Sequence, residues 1–127
     1  MKTFEEFKAE YEAKHPEIWN AYHDAINEYN GVYFRDHAEV GDGVSVHLWS
    51  DSHAYTIIAR TPKTLTLRRC KSIRTDSNGM SDCQDYRFEE NENGYVVKAY
   101  WSNKNNRFYQ NGCSVTPGHY EYFDYSF

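Results

Sequence analysis

The chain has 127 residues with a formal net charge of −5 at pH 7, and 17% of its residues are aromatic. This length suits one domain with its own core, without metal or disulfide staples, and the net negative charge argues against a general nucleic-acid-binding protein. We therefore expect a single domain over residues 1–127 whose core is largely aromatic.

The first 31 residues favour helix. A capping box at Thr3 and Glu6 begins this segment, and Pro16 suits the first turn of a second helix. Apolar residues recur at helical spacing through both parts, at Phe4, Phe7, Tyr11, Ile18, Trp19, Tyr22, Ala25, Ile26 and Tyr29. Asn30-Gly31 is typical of a helix end. We predict one broken helix or two helices over roughly residues 3–29.

The hydrophobic period changes to two after Gly31, as expected for strands with one buried face. Six runs follow this pattern, at residues 44–49, 55–60, 64–68, 86–89, 95–101 and 119–127. Turn residues separate them, and Asn93-Gly94 is a strong signal for a tight hairpin. The last run, with Tyr120 and Tyr122, is predicted to be a closing strand inside the aromatic core.

These elements predict an α+β fold. The helical segment, residues 1–31, packs on a strongly bent antiparallel sheet formed by residues 32–127. The sheet has about six strands, and a small SH3-like barrel is one form that it can take.

The three cysteines, Cys70, Cys83 and Cys113, follow none of the spacings of a zinc site. The chain shows no signal-peptide pattern and no apolar run long enough to span a membrane. We expect free thiols, no cofactor and no membrane contact in a reduced, cytoplasmic protein.

The stretch HLWSDSHAY, residues 47–55, concentrates polar and aromatic residues between two strands. We predict a β-hairpin in which Trp49 pairs with Ala54 around a loop over residues 50–53. The spacing of His47, Asp51 and His53 matches no metal pattern with a clear mechanism, and a plain polar turn is the simplest alternative. We interpret the tip as a contact surface carrying Trp49, Asp51 and His53. A metal-dependent hydrolase built on the two histidines and Asp51 is less favoured.

Charge is distributed unevenly, with a net basic middle, residues 32–75, between two net acidic ends. From Arg60 to Arg74 there are six basic residues and no acidic one. Within this run, Arg68, Arg69, Lys71 and Arg74 could hold phosphates or an acidic partner surface. A solvated edge strand, or pairing with the chain's own acidic helices, is the plainer alternative.

The helical segment carries the opposite charge, and Glu10 and Glu17 are among its seven acidic residues. Such a face could imitate the phosphates of a nucleic acid toward a basic partner. An ordinary solvated helix face is the alternative.

Two stretches, VGDGVSVHLWSDSHAYTIIARTPKTLTLRR (residues 40–69) and TPGHYEYFDYSF (residues 116–127), resemble a group of small uncharacterised proteins from phages and mobile elements of Firmicutes. The resemblance covers about two-thirds of the chain and transfers no catalytic residue. It implies an accessory protein expressed inside a bacterial host cell. Small acidic proteins of that kind often bind and block host defence machinery.

No catalytic signature stands out in the sequence. We therefore expect a non-enzymatic binding protein that inhibits a bacterial defence system by protein–protein contact, with a nuclease such as a CRISPR effector as its partner. The alternative is a small barrel that binds nucleic acid or a nucleotide through the basic strand, with Trp49 and Tyr55 as stacking surfaces.

Overall fold

The computed structural model describes residues 1–79 and 84–123. In this part of the chain, helix α1 spans Phe4–Lys14, α2 spans Tyr22–Glu28, a π-helical turn spans Tyr29–Tyr33 and α3 spans Phe34–His37. The strands are β1 Gly43–His47, β2 Ser52–Thr61, β3 Thr64–Arg69, β4 Lys71–Arg74, β5 Tyr86–Glu89, β6 Val96–Ser102, β7 Arg107–Gln110 and β8 Cys113–Pro117. None of the described helices is long and apolar enough to cross a membrane.

Six of the strands form a closed antiparallel barrel in the order β1-β2-β3-β6-β7-β8, and β8 pairs with β1 to close it. Strands β4 and β5 form a separate two-stranded sheet. The predicted α+β fold, with an N-terminal helical segment on a bent antiparallel sheet, is confirmed.

Alternate side chains of each strand fill the barrel. The buried ones are Val44, Val46, Tyr55, Ile57, Leu65, Leu67, Ala99, Phe108 and Val115. The prediction of a largely aromatic core is wrong for the barrel, because only Tyr55 and Phe108 of these nine buried residues are aromatic. Among the described residues, most aromatic contacts lie instead in the helical layer, where Phe7 packs on Tyr29 and Tyr33 with ring centroids 5.4 and 4.8 Å apart.

The predicted helix boundaries are only partly correct. Thr3 caps α1, since its Oγ1 accepts from the Glu6 amide at 3.3 Å. The second helix begins at Tyr22 rather than near Pro16, and it continues through Gly31 to His37. Gly31 is therefore no helix end. It is buried against the β6–β7 turn, where an added Cβ would lie 2.7 Å from the Asn106 carbonyl oxygen, so this glycine permits a close approach of two backbones.

The strand predictions fail at four places. Strands β4, β7 and β8 were not among the predicted runs. The run 119–127 is no strand over its described residues, apart from a single bridge between Ser52 and Tyr122. Its alternation is also reversed, because Glu121 is buried whereas Tyr120 is exposed. The barrel is closed by β8, and residues 124–127 lie outside the described residues.

Candidate functional site

The β1–β2 hairpin turns two residues earlier than predicted. His47 pairs with Ser52, and the Leu48 amide donates to the Asp51 carbonyl at 2.8 Å to close the loop over residues 48–51. The predicted pairing of Trp49 with Ala54 is therefore wrong. The shift places Trp49 at the tip, where 91% of its surface is exposed.

The His47 ring is held on both sides by hydroxyl groups. Its Nδ1 lies 2.8 Å from Ser52 Oγ, and its Nε2 lies 2.7 Å from Thr116 Oγ1. Burial, with a smaller contribution from the charge of Arg107, lowers the pKa of His47. Both ring nitrogens are thus engaged within the fold, and no group of three potential ligands among residues 1–79 and 84–123 is placed to hold a metal ion.

Below the tip, a buried ion pair joins the end of β3 to the C-terminal segment. The Arg69 guanidinium donates from Nη1 to Glu121 Oε1 and from Nη2 to Glu121 Oε2, both at 2.8 Å. Glu121 Oε1 also accepts from Ser72 Oγ at 2.9 Å and from the Ala54 amide at 3.0 Å. This bidentate pair fastens the segment after β8 to the end of β3 and the start of β2, where Tyr122 also bridges to Ser52.

His53 belongs to the same cluster. Its Nδ1 lies 2.9 Å from Arg69 Nη2, and because a guanidinium only donates, Nδ1 must accept and the proton of the neutral ring must sit on Nε2. Burial and then the charge of Arg69 lower the pKa of His53. The predicted contact residue His53 is therefore mainly a partner of Arg69.

The four cations of the basic run that were predicted to act together have different partners in the structure. Arg69 is neutralised by Glu121, and Arg74 is bound by Asp76, with its Nε 2.7 Å from Oδ2 and its Nη2 2.5 Å from Oδ1. That pairing lowers the pKa of Asp76. Lys71, which is exposed, and Arg68, which is half-buried, take part in none of the ion pairs of the described residues.

The two acidic candidates lie on the helical layer, away from the hairpin tip in sequence. Glu10 forms an ion pair with Lys2. The carboxylate of Glu17 is 3.4 Å from His15 Nδ1, and 67% of its side chain is exposed. Both carboxylates are accessible to solvent, as the prediction of an acidic surface on the helical segment requires.

A groove of about 220 Å³ opens at the barrel end beside the hairpin tip. Val46, Tyr55 and Val97 lie on its apolar side, and the exposed side chains of Leu48 and Tyr95 stand at its edge. The Tyr55 hydroxyl donates to the Tyr95 hydroxyl at 3.0 Å, and burial with this hydrogen bond raises the pKa of Tyr55. No sequence pattern singles out Leu48 or Tyr95 as a binding residue, although both flank predicted turns.

A second cluster lies beneath the C-terminal segment. Cys70 Sγ is 3.5 Å from His119 Nε2 and 3.1 Å from Thr56 Oγ1. Burial raises the pKa of the Cys70 thiol and lowers that of His119, so both groups are neutral at pH 7, and a neutral buried thiol is a poor nucleophile. Cys70 and Cys113 are free thiols, and Cys83 lies outside the described residues.

Comparison with protein-family models, with curated proteins and with solved structures finds no match to this chain. The functional argument therefore depends on the chain's own surfaces.

Proposed function

We propose that the protein is a non-enzymatic binding protein that contacts a protein partner through the tip of the β1–β2 hairpin. The observation that carries this proposal is the position of Trp49, with 91% of its surface exposed on a four-residue loop, beside a groove edged by the exposed side chains of Leu48 and Tyr95. An exposed tryptophan side chain contributes no burial energy to the stability of its own fold. Tryptophan is, however, enriched among the residues that dominate binding energy at protein interfaces.

The base of the hairpin supports this role. The closed loop and the two hydroxyl contacts of His47 hold the tip in one arrangement, so little ordering entropy is lost when a partner binds. The exposed side chains of Leu48 and Tyr95 extend the apolar surface next to Trp49 along the groove. The two histidines of this region are engaged in internal hydrogen bonds, which favours contact over chemistry.

We further propose that the partner is a component of a bacterial defence system, such as a nuclease, met in the cytoplasm of the host cell. The resemblance to small phage and mobile-element proteins supports this class of partner. The exposed acidic face of the helical layer also supports it, because a basic nucleic-acid channel attracts such a face.

The test is phage plating on bacterial strains that each carry one defined defence system and express the protein. We expect the wild-type protein to restore plating against at least one system, and Trp49→Ala to remove this protection. Trp19→Ala is the matched control, because 94% of Trp19 is exposed but it lies in the turn between α1 and α2. Neither substitution creates a cavity, so folding should change little.

A second measurement, of binding affinity, tests the contact directly. With the purified effector identified by plating, Trp49→Ala should weaken binding about 30-fold or more, the effect of removing a hot-spot residue worth about 2 kcal/mol, whereas Trp19→Ala should bind as the wild type does. Absence of protection against every system tested, or equal behaviour of the two variants, would overturn the proposal.

A further inference from the structure

At the barrel end opposite the hairpin tip, α3 and the β2–β3 turn enclose a second groove, of about 580 Å³. Three of its lining residues are cationic, Arg35, Arg60 and Lys63, and one, Asp36, is acidic. We propose that this groove binds a small phosphate-bearing molecule, such as a nucleoside di- or triphosphate, through Arg35, Arg60 and Lys63.

The orientation of Arg60 carries the argument. Its guanidinium donates to three backbone carbonyl oxygens, those of Ala38 at 2.6 Å, Thr61 at 3.2 Å and Pro62 at 3.5 Å. These bonds fix the guanidinium without neutralising it, and no ion pair within residues 1–79 and 84–123 includes Arg60. A half-buried guanidinium that is held in place and keeps its full charge is suited to an anionic ligand.

The neighbouring cations add to this field. Arg35 lies over the Trp101 ring, with its Cζ 4.7 Å from the ring centroid, and only its Nε contacts Asp36 Oδ1, at 3.0 Å. Its terminal Nη groups therefore have no carboxylate partner among the described residues. Lys63, at the β2–β3 turn, is exposed and takes part in none of the ion pairs of the described residues. Three cations against one carboxylate leave the groove with a positive charge that matches a phosphate dianion.

The dimensions and surroundings favour a small ligand over a nucleic acid. The groove volume falls within the range of small-molecule sites, about 300–1,000 Å³. A long polyanion would extend past these three cations onto a chain whose net charge is −5, and it would be repelled there. A short phosphate chain places its whole charge within reach of Arg35, Arg60 and Lys63.

The test is titration of the protein with pyrophosphate and with ATP at about 50 mM salt, followed by amide NMR shifts and by calorimetry. We expect shifts at the amides of residues 60, 61, 63 and 64 and saturable binding. Lys63→Gln, which removes an exposed and unpaired charge, should weaken binding at least threefold. Arg60→Lys, which keeps the charge but loses the planar, two-pronged donor geometry of the guanidinium, should weaken binding at least tenfold.

Lys98→Gln is the control, because this exposed lysine lies on β6, outside the groove, and it should bind as the wild type does. Binding of ATP but not pyrophosphate would support the nucleotide as the ligand, and binding of both would support the phosphate chain as the shared element. Absence of shifts at the amides of residues 60, 61, 63 and 64 with either probe, or equal affinity of Lys63→Gln and the wild type, would overturn the proposal. Tighter binding of a single-stranded oligonucleotide to this groove would also overturn it.

Discussion

Replacing Glu121 by glutamine removes the charge that neutralises Arg69 while keeping the size of the side chain. The Glu121 side chain is fully buried and accepts from both Nη groups of Arg69, from Ser72 Oγ and from the Ala54 amide. Arg69 has only 16% of its side chain exposed, so water cannot replace the lost carboxylate. The glutamine amide would in addition direct a donor toward one of the guanidinium donors.

The expected loss is large for these reasons. Breaking a buried pair by removing one partner costs about 3–5 kcal/mol, because an uncompensated charge stays behind. A chain of this length unfolds with an entropy of about 0.27 kcal/mol per kelvin, from about 2.1 cal/mol/K per residue, so Glu121→Gln should lower Tm by about 11–19 °C. A domain is stable by about 5–15 kcal/mol in total, and the variant should thus remain folded at low temperature or be only marginally stable.

Urea unfolding followed by far-ultraviolet circular dichroism measures this loss, together with a thermal melt. Glu17→Gln is the control, because its carboxylate is mostly exposed and should contribute less than about 1 kcal/mol. The double substitution of Arg69→Met with Glu121→Gln should recover much of the stability, since neither variant side chain carries a charge. A loss below about 1 kcal/mol for Glu121→Gln, or a double variant that loses the sum of the two single losses, would refute this reasoning.

Two further predictions concern the backbone and the pH response. Gly94→Ala should destabilise the fold by about 1–3 kcal/mol or more, since its Cβ would lie 2.2 Å from the Arg69 carbonyl oxygen; a urea midpoint equal to that of the wild type would contradict it. The pKa values of His47, His53 and His119 are all lowered from 6.5, chiefly by burial, so the unfolded chain binds more protons than the folded one below pH 6.5. The free energy of unfolding should therefore be highest above pH 6.5 and fall as the pH drops from 6.5 through the folded-state pKa values, by up to about 1.4 kcal/mol per pH unit for each of the half-buried His47 and His53 and by less for His119, which is exposed; equal stability at pH 7 and pH 5 would contradict this.

Alternation of apolar and polar residues predicted five of the described strands. Four of them, β1, β2, β3 and β6, place one face on the barrel core, and β5 alternates half-buried with exposed side chains in the separate two-stranded sheet. The pattern for β7 and β8 is too short to read, since each places its single fully buried core residue, Phe108 or Val115, between two turns. The final run was misread because Tyr120 and Tyr122 resemble core residues by type. Glu121 between them is the buried residue, and only the position of Arg69 explains why.

The binding surfaces were predictable to a lesser degree. Strand alternation on both sides predicts the hairpin, but the position of Trp49 within the loop follows only from the observed pairing of His47 with Ser52. The charge of the basic run predicts one surface, but consecutive residues of a strand point to opposite faces, so Arg68 stays outside while Arg69 turns toward Tyr55. Its partner Glu121 lies 52 residues away in the chain, so no local sequence pattern indicates this ion pair.

The π-helical turn explains the spacing of the buried positions along the second helix. Ala21, Ala25, Tyr29, Phe34 and Ala38 are all buried, and they are four residues apart except between Tyr29 and Phe34, where the step is five. An α-helix turns each residue by about 100°, so without the wider turn the fifth residue would leave that face. The π-helical turn has the geometry of an α-helix into which one extra residue is inserted. A chain shortened by one residue there would restore a uniform four-residue spacing and keep the same side chains facing inward.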